Sequence, residues 1–523
     1  MRQPGIMTLL MALIISSCSL LPFVSQPYPR TEVELALQQA GKNRHQLQEV
    51  LRHYSEPNDS LQLLAAEFLI ANMPGHSFVR IGLYDSTDCE LVIDVLAWPD
   101  YTSLVAAWDS VEVVRGELHW GLAERVDDLT NISTEYLINN IDLAFQAWRE
   151  LPWAQQLQFE DFCNYVLPYR GSNEPMEEWR QWFLDRYEGL PQLLHDPTDP
   201  IEVTSRINDD VKSWFAFTDR YYRHPTDQSF SQMLQTGLGR CEDMTNLAIY
   251  ALRANSLPVT SDYTPHWADT GNNHAWNAIL TADGRAVPFM GAESNPGLYR
   301  LRGHMAKAYR KTFAEQRDNL FFVKPEGEEV PGWLNGRSYV DVTRQYTAVA
   351  DVKLQLENLV PDSTSFAYLC VFNSGEWKAI HWSKLEGQQA HFTDMGVDIV
   401  YLPMYFVKGE LLPATLPFIL DKEGELRYLE CGSGLTDLSL VSTTRRTTVS
   451  STDSVEQVFL KPGKMYELFH WREEWLSLGE QEAGDQPLEF KQVPVGSLYW
   501  LVEQGSRQEE RVFTWEGDRQ IWW

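Results

Sequence analysis

The sequence predicts a multidomain α+β protein with an α-helical N-terminal domain, an α+β core and a C-terminal β-sandwich region. Three observations support this fold class. The chain has 523 residues, which is too long for one ordinary hydrophobic core. Its first part places apolar residues at helical spacing, whereas its last part consists of short alternating segments separated by Gly, Asp and Ser. Between the two parts, a helical pattern leads directly into a hairpin pattern.

The first residues have the pattern of an export signal. Met1 and Arg2 precede an apolar run at residues 6–15, which is too short to span a membrane, and small residues then lead to Cys18. This order resembles the bacterial lipobox. The resemblance implies a signal peptide at residues 1–17, lipid attachment at Cys18, and an exported protein anchored to a bacterial membrane, facing the periplasm or the cell surface. A plain secretory signal with an incidental cysteine is the alternative.

Residues 18–200 are predicted to form the helical N-terminal domain. Apolar residues at helical spacing cover residues 33–40 and 61–72, and similar patterns follow at residues 136–151, 159–167 and 176–184. Breaks containing Pro, Gly and Asn separate these segments. The domain is predicted to end at the Pro-rich link of residues 196–200.

Residues 201–325 are predicted to form the α+β core. A glycine-rich turn at residues 237–239 leads to Cys241, which opens a predicted helix with acidic residues in its first turn. Two extended segments follow, at residues 274–280 and 285–289. They are joined through Ala-Asp-Gly at residues 282–284, which is a strong hairpin signal.

Residues 326–523 are predicted to form a β-sandwich region, as one sandwich or as two in tandem at about residues 326–440 and 441–523. The region is rich in tryptophan, which can stack on sugars, although most of these side chains are expected in the core. Contact with the cell wall or with a polysaccharide is therefore one expectation for this region. The tryptophans are Trp377, Trp382, Trp471, Trp475, Trp515, Trp522 and Trp523.

Charge and cysteine spacing restrict the partners. The formal net charge is −30 at pH 7, and no run of Lys and Arg interrupts the acidic surface, so nucleic-acid binding is disfavoured. We expect membrane contact only through the lipid anchor. No Cys-x-x-Cys or Cys/His pair has metal-ligand spacing, so neither a metal nor another cofactor is expected.

Once Cys18 is set aside, an odd number of cysteines remains, so at least one thiol stays unpaired within the chain. Four of them lie in apolar runs and are expected in the core: Cys89, Cys163, Cys370 and Cys431. Cys241 differs because it opens a helix, where the dipole and the free N–H groups lower the pKa of a thiol. The preceding glycines let backbone N–H groups approach a substrate carbonyl. Glu242 and Asp243 oppose thiolate formation if their side chains point inward.

A nucleophilic thiol needs a base in a fixed orientation, and His274 begins a predicted strand. His266 is a competing candidate, but it lacks the strand and is expected to be structural. Gly239-Arg240-Cys241-Glu242-Asp243 resembles the Gly-x-Cys-x-Asp/Glu signature of the transglutaminase-like superfamily, and His274-Ala275-Trp276-Asn277 resembles its His-Ala-Trp motif. The resemblance covers about residues 229–296. It implies a papain-like core, a Cys-His-Asp triad and acyl transfer through a thioester.

The sequence departs from that family at the third catalytic position. The family pattern Trp-x-Pro-x-Asp corresponds to residues 286–290, where Met290 replaces the carboxylate. Glu293 is the candidate third catalytic residue, with an ordinary loop carboxylate as the alternative. A Cys-His pair without a carboxylate can still act, because the third group mainly orients the histidine. Gln235 has the spacing of an oxyanion-hole glutamine in papain-type enzymes, and an exposed helix-end glutamine is the alternative reading.

Two functions follow. The first is a transglutaminase-like cysteine acyltransferase or hydrolase that acts on peptide or side-chain amide bonds of a peptide or protein substrate through a thioester on Cys241. Hydrolysis is favoured over cross-linking. The second is a catalytically inactive lipoprotein of the same superfamily that serves as a protein- or polysaccharide-binding scaffold. The missing aspartate supports the second.

Overall fold

A computed structural model describes residues 29–444, 459–506 and 509–523. The predicted signal peptide, residues 1–17, and the predicted lipid attachment site Cys18 lie outside the described residues. Within the described ranges, no helix is both long enough and apolar enough to cross a membrane.

The N-terminal region begins with three helices whose apolar faces pack together. Leu47 and Val50 of the second helix and Leu69 of the third are fully buried, in agreement with the helical spacing of the sequence. The first helices are α1 (Arg30–Gln39), α2 (Arg44–His53) and α3 (Ser60–Asn72).

A small antiparallel sheet follows these helices, although the sequence predicted only helices in this region. Its strand order is β2-β1-β3, with a helix between the second and third strands of the sequence. Most side chains of the third strand are exposed, so the strand lacks the apolar alternation that would reveal it in the sequence. The elements are β1 (Ser77–Tyr84), β2 (Glu90–Leu91), α4 (Tyr101–Arg115) and β3 (His119–Asp127).

Further helices connect the small sheet to the central region. The longest of them, α6 (Thr134–Glu150), has Ser133 at its N-cap, where the hydroxyl accepts the Tyr136 N–H. Two short strands pair in parallel and bring residues 216–217 beside residues 238–239. The elements are α5 (Asp128–Asn131), α6 (Thr134–Glu150), α7 (Phe159–Tyr165), α8 (Arg180–Tyr187), α9 (Pro200–Lys212), β4 (Ala216–Phe217), α10 (Phe230–Thr236) and β5 (Leu238–Gly239).

The central region combines one buried helix with a five-stranded antiparallel sheet. The elements are α11 (Cys241–Ala254), β6 (Val259–Thr264), β7 (His274–Leu280), β8 (Ala286–Phe289), β9 (Tyr309–Lys311), α12 (Leu320–Val323) and β10 (Tyr339–Asp341). The sheet order is β10-β9-β6-β7-β8. Leu247 and Ala251 of α11 share a hydrophobic core with Phe183 of α8, Ile207 of α9 and Ile279 of β7. The helix and hairpin predicted from the sequence are therefore present, with α11 enclosed on several sides.

The C-terminal region consists of antiparallel strands, as predicted. In its first half, a two-stranded sheet (β11-β14) and a larger sheet (β13-β12-β15-β17-β18, with β16 beside β15) contribute to one hydrophobic cluster. The strands are β11 (Val349–Gln355), β12 (Phe366–Asn373), β13 (Glu376–Lys384), β14 (Gln389–Gly396), β15 (Ile399–Val407), β16 (Glu410–Pro413), β17 (Phe418–Leu420) and β18 (Leu426–Tyr428).

The second half repeats this arrangement of a small and a larger sheet. The pair β19-β22 and the five-stranded sheet β21-β20-β23-β24-β25 share another cluster, which includes Leu438, Leu468 and Phe490. The strands are β19 (Leu435–Leu440), β20 (Met465–Arg472), β21 (Glu474–Glu482), β22 (Leu488–Pro494), β23 (Tyr499–Glu503), β24 (Val512–Glu516) and β25 (Arg519–Trp522). The mixed α+β class and the C-terminal antiparallel strands are thus confirmed.

Two buried polar side chains connect the C-terminal region to the central one. The Asn373 side-chain amide nitrogen lies 2.9, 2.9 and 3.0 Å from the carbonyl oxygens of Trp267, Thr270 and Asn272. The Arg511 guanidinium donates to the carbonyl oxygens of Phe372, at 2.6 Å, and Ala268. These contacts hold the segment that leads into β7.

Candidate active site

Cys241 is the first residue of α11, and small residues bring the chain to it. Gly237 ends α10 with a φ of +61° and accepts the left-handed conformation without steric cost. A Cβ on Gly239 would lie 2.6 Å from the Asp243 Cβ and 2.8 Å from the Phe215 ring. Glycine at 239 therefore permits the close approach that places Cys241 at the N-terminus of a buried helix.

Asp243 caps this helix and is turned toward the backbone. Its two carboxylate oxygens accept the Arg240 N–H at 2.9 Å and the Gln228 N–H at 3.0 Å. The side chain is buried, and burial together with nearby Asp227 raises its pKa to about 6, while Arg240 opposes the shift. Asp243 thus fixes the start of α11.

The Cys241 sulfur lies in a nearly closed but polar environment. The residue is 7% exposed, and its thiol donates to Glu242 Oε2 at 3.0 Å. Burial and then Glu242 raise the thiol pKa, whereas Arg240 and the Ala275 backbone N–H lower it. The expected lowering by the helix N-terminus is therefore outweighed, because desolvation and an adjacent carboxylate both favour the neutral thiol.

His274 begins β7, directly before the residue whose N–H reaches the sulfur. Its Nε2 forms a 2.5 Å hydrogen bond with the Tyr299 hydroxyl. Burial lowers the pKa of the imidazole, and Glu242 acts in the opposite direction. Within the described parts of the chain, no hydrogen bond joins Cys241 to His274. Cys241 instead bonds Glu242, and His274 bonds Tyr299.

Two tyrosines lie close enough to the sulfur for electrostatic coupling. Burial and then Cys241 raise the pKa of Tyr222 to about 12. Burial, Glu293 and Cys241 raise the pKa of Tyr299. Sequence reasoning missed Tyr299, because it lies in an irregular loop beyond the hairpin and no local pattern marks it.

The predicted third catalytic residue, Glu293, is an exposed residue in the turn after β8. Its side chain makes no hydrogen bond to His274 among the described contacts, and its backbone carbonyl accepts from Lys212 at 2.7 Å. Met290, which stands where the family places its aspartate, is buried in the core around α11. Glu293 influences the site through the pKa of Tyr299.

The remaining candidates, Gln235 and His266, are not among the described contacts of the Cys241 sulfur. Gln235 is exposed on α10, and none of the described hydrogen bonds joins it to Cys241. His266 is half-buried, and burial lowers its pKa to about 4. Across the described ranges, no group of His, Cys, Asp or Glu has an arrangement that could hold a metal ion.

The other cysteines correct one expectation. Cys163 and Cys370 are buried as predicted, but Cys89 is exposed and Cys431 is half-buried. Cys89 lies in the turn between β1 and β2, where its short apolar run does not enter a core. All the described cysteines are free thiols.

Comparison with known proteins places the family resemblance in the central region. The model of the transglutaminase-like superfamily matches residues 190–289, a range that includes Cys241 and His274 and ends before Glu293. This region is therefore transglutaminase-like, as its motifs predicted. No curated protein matches the chain.

Among solved structures, the crystal structure of red sea bream transglutaminase is similar to this chain at 8% identity. The likeness covers 86% of this chain and 77% of the other, with a TM-score of 0.20. At that TM-score the likeness supports no conclusion about the whole fold. The family assignment of the central region depends on the match to residues 190–289.

Proposed function

We propose that the central region is a cysteine acyltransferase or hydrolase that acts on peptide or side-chain amide bonds, with hydrolysis favoured over cross-linking. One observation carries the proposal. The Cys241 sulfur stands at the N-terminus of α11 and faces the Ala275 N–H, which immediately follows His274. A nucleophile therefore lies beside a backbone donor, and the candidate base is the residue directly before that donor in β7.

The reaction has two stages. The sulfur attacks the amide carbonyl carbon, and His274 takes the thiol proton and gives it to the leaving amine nitrogen as the C–N bond breaks. Water or an amine then attacks the thioester, the C–S bond breaks, and the sulfur regains a proton. The Ala275 N–H and the N–H groups at the start of α11 are the available donors for the oxyanion.

The arrangement described above corresponds to a closed resting state of such an enzyme. Glu242 accepts a hydrogen bond from the Cys241 thiol and raises the thiol pKa, so the sulfur is neutral before substrate arrives. Movement of Glu242 away from the sulfur is the first event that activation requires. Arg240 Nε lies 3.7 Å from Glu242 Oε2 and offers that carboxylate an alternative partner.

Tyr299 is proposed to take the orienting role that the family assigns to an aspartate. Its hydroxyl bonds His274 Nε2 and thereby fixes the plane of the ring. A neutral phenol stabilises an imidazolium less than a carboxylate does. Glu293, which lies near this phenol, is proposed to compensate through its charge.

Location and partners complete the proposal. The signal pattern at residues 1–17 and the cysteine at position 18 support an exported protein tethered to a bacterial membrane by lipid at Cys18. A peptide or protein is the proposed substrate, and the C-terminal strands are proposed to contact the cell wall or a polysaccharide. The net charge of −30 argues against a nucleic-acid partner.

The test is a peptide-library cleavage screen combined with an amine-incorporation screen, comparing the wild-type protein with Cys241→Ala. Cleavage or incorporation by the wild-type protein alone, with the acyl group trapped on the Cys241 peptide in mass spectrometry, is the expected result. Cys163→Ala serves as a matched control, because Cys163 is a buried thiol outside the site. Equal behaviour of the wild-type protein and Cys241→Ala would leave the binding scaffold as the function.

A further inference from the structure

A cavity lies at the opposite end of α11 from Cys241. It has a volume of about 500 Å³ and is bordered by residues 168–173, the last turn of α11, β6, β9 and residues 335–338. Arg253, in that last turn, is twelve residues from Cys241, or about 18 Å along the helix axis. We call this cavity the basic cleft.

The charge of the basic cleft is opposite to that of the whole chain. No Asp or Glu is among its lining residues, although the net charge of the protein is −30. Five cationic side chains line it: Arg125, Arg170, Arg253, Lys311 and Arg337. A concave surface lined by one sign of charge raises the local concentration of small ions of the other sign.

Carboxylates behind the cleft neutralise part of this charge. Arg170 Nε donates to Asp128 at 2.8 Å, and Arg337 Nε donates to Glu315 at 2.7 Å. These pairs hold the two guanidinium groups in fixed positions. The Arg337 guanidinium also stacks over the Phe321 ring, 4.4 Å from its centroid.

Lys311 and Arg253 have no such direct neutralising partner in the described structure. Lys311 Nζ donates to the Ser172 hydroxyl at 2.8 Å and lies 5.9 Å from the centroid of Tyr263. Arg253 donates to backbone carbonyl oxygens, including that of Arg170 at 2.7 Å. Glu174 acts on Arg253 only through longer-range charge, and Asp227 acts on Lys311 in the same way.

The wall of the basic cleft also contains a buried hydroxyl without a hydrogen-bond partner among the described residues. Ser261 on β6 lines the basic cleft and is 3% exposed, and its Oγ has no hydrogen-bond partner among the described residues. A buried polar atom without a partner is unfavourable, so such an atom at a cavity wall indicates a missing partner. An acceptor atom of a ligand would satisfy it.

We propose that the basic cleft binds a small anion that carries carboxylate or phosphate groups. Lys311 and Arg337 contact the charged groups, and the Ser261 hydroxyl donates a hydrogen bond to one anionic oxygen. Arg253, which donates to backbone carbonyl oxygens, contributes charge from the inner wall. This binding is separate from acyl transfer, because the cleft and Cys241 lie at opposite ends of one helix.

Isothermal titration calorimetry on the protein would test the proposal, with citrate and inorganic phosphate as the two probes. We expect saturable binding of at least one probe, and the tighter one identifies the preferred anionic group. Lys311→Gln is expected to weaken binding about tenfold, and Ser261→Ala is expected to weaken it less. Lys422→Gln is the control, because it removes the same charge from an exposed side chain outside the cleft.

Two results would overturn the proposal. One is the absence of binding of either probe up to about 10 mM at moderate salt, where a weak specific site would still be detected. The other is binding that Lys311→Gln and Ser261→Ala leave at the wild-type affinity. Melting curves without a probe establish that each variant is folded before its affinity is compared.

Discussion

Glu242 lies beside the Cys241 thiol and opposes its ionisation. Burial is the largest contribution to the raised thiol pKa, and Glu242 is the next. Only the second contribution can be removed by a conservative substitution. Substitution of Glu242 therefore tests whether this carboxylate holds the Cys241 thiol in its neutral form.

Glu242→Gln is expected to accelerate alkylation of Cys241 by iodoacetamide. Loss of the negative charge lowers the thiol pKa, so at a fixed pH more of the sulfur is thiolate, by about tenfold for each pKa unit while the pH lies below the pKa. The rate constant is measured between about pH 6 and pH 10 by mass spectrometry of the Cys241 peptide.

Glu376→Gln is the matched control for that substitution, because Glu376 is an exposed carboxylate on β13 and pairs with Lys378. Its alkylation profile should coincide with that of the wild-type protein. A Glu242→Gln variant that is alkylated no faster than the wild-type protein would contradict the assigned role of Glu242.

Tyr299→Phe is expected to reduce turnover about tenfold once a substrate is known, because His274 loses the hydrogen bond that fixes its ring. The effect should fall on kcat more than on KM and should change the pH profile, since His274 is the proposed base. Tyr222→Phe is the control, since Tyr222 also lies near the sulfur. Equal losses in the two variants would show that Tyr299 has no special orienting role.

At the scale of single elements, the start of α11 contains a buried acid, Asp243, whose pKa is raised in the folded state. Burial raises the Asp243 pKa to about 6 from an ordinary value of 3.8. Between these two values the folded protein holds a proton that the unfolded chain has released. The contribution of Asp243 to the free energy of unfolding is therefore fully present below the lower value and is lost as the pH rises through the upper one.

Asp243→Asn is expected to remove this pH dependence. The unfolding free energy of the wild-type protein minus that of the variant should decrease by up to about 3 kcal/mol between about pH 4 and pH 7. Urea titrations across this range measure the difference. Glu135→Gln, which replaces an exposed acid in the first turn of α6, should show a much smaller trend. A flat difference for Asp243→Asn would contradict a raised pKa.

The elements around the site were predictable to different degrees. The start of α11 and the bounds of β7 agree with the sequence prediction, since helix-start and hairpin signals are local. Tyr299 was not predictable, because an irregular loop returns it to His274 after the turn at residues 290–294. The strands β1 and β3 were missed for a similar reason: their partners, rather than an alternating pattern, define them.

At the scale of the whole molecule, the sequence predicted the order of helical, mixed and β-rich regions, and the structure agrees with the mixed α+β class. It did not predict how the regions join. Arg511 is buried, and burial lowers its pKa to about 10, yet its guanidinium reaches the carbonyl oxygens of Phe372 in β12 and of Ala268 in the central region. Such contacts connect residues distant in sequence and leave no local pattern.

Arg511→Met is expected to lower the melting temperature of the protein, because several buried carbonyl oxygens lose a charged donor at a cost of about 3 kcal/mol. Differential scanning calorimetry measures the shift and shows whether the regions unfold separately. Arg519→Met is the control, because Arg519 is exposed on β25. If both variants melt together with the wild-type protein, Arg511 does not couple the regions.

The Asn373 amide restricts where the chain can be truncated. It holds three carbonyl oxygens in residues 267–272, only two positions before the strand that begins with His274. The family match ends at residue 289, so a fragment cut to that match would keep the histidine and discard its brace. We therefore expect that the transglutaminase-like region depends on contacts beyond the matched residues, and a shortened form of this protein should retain β12.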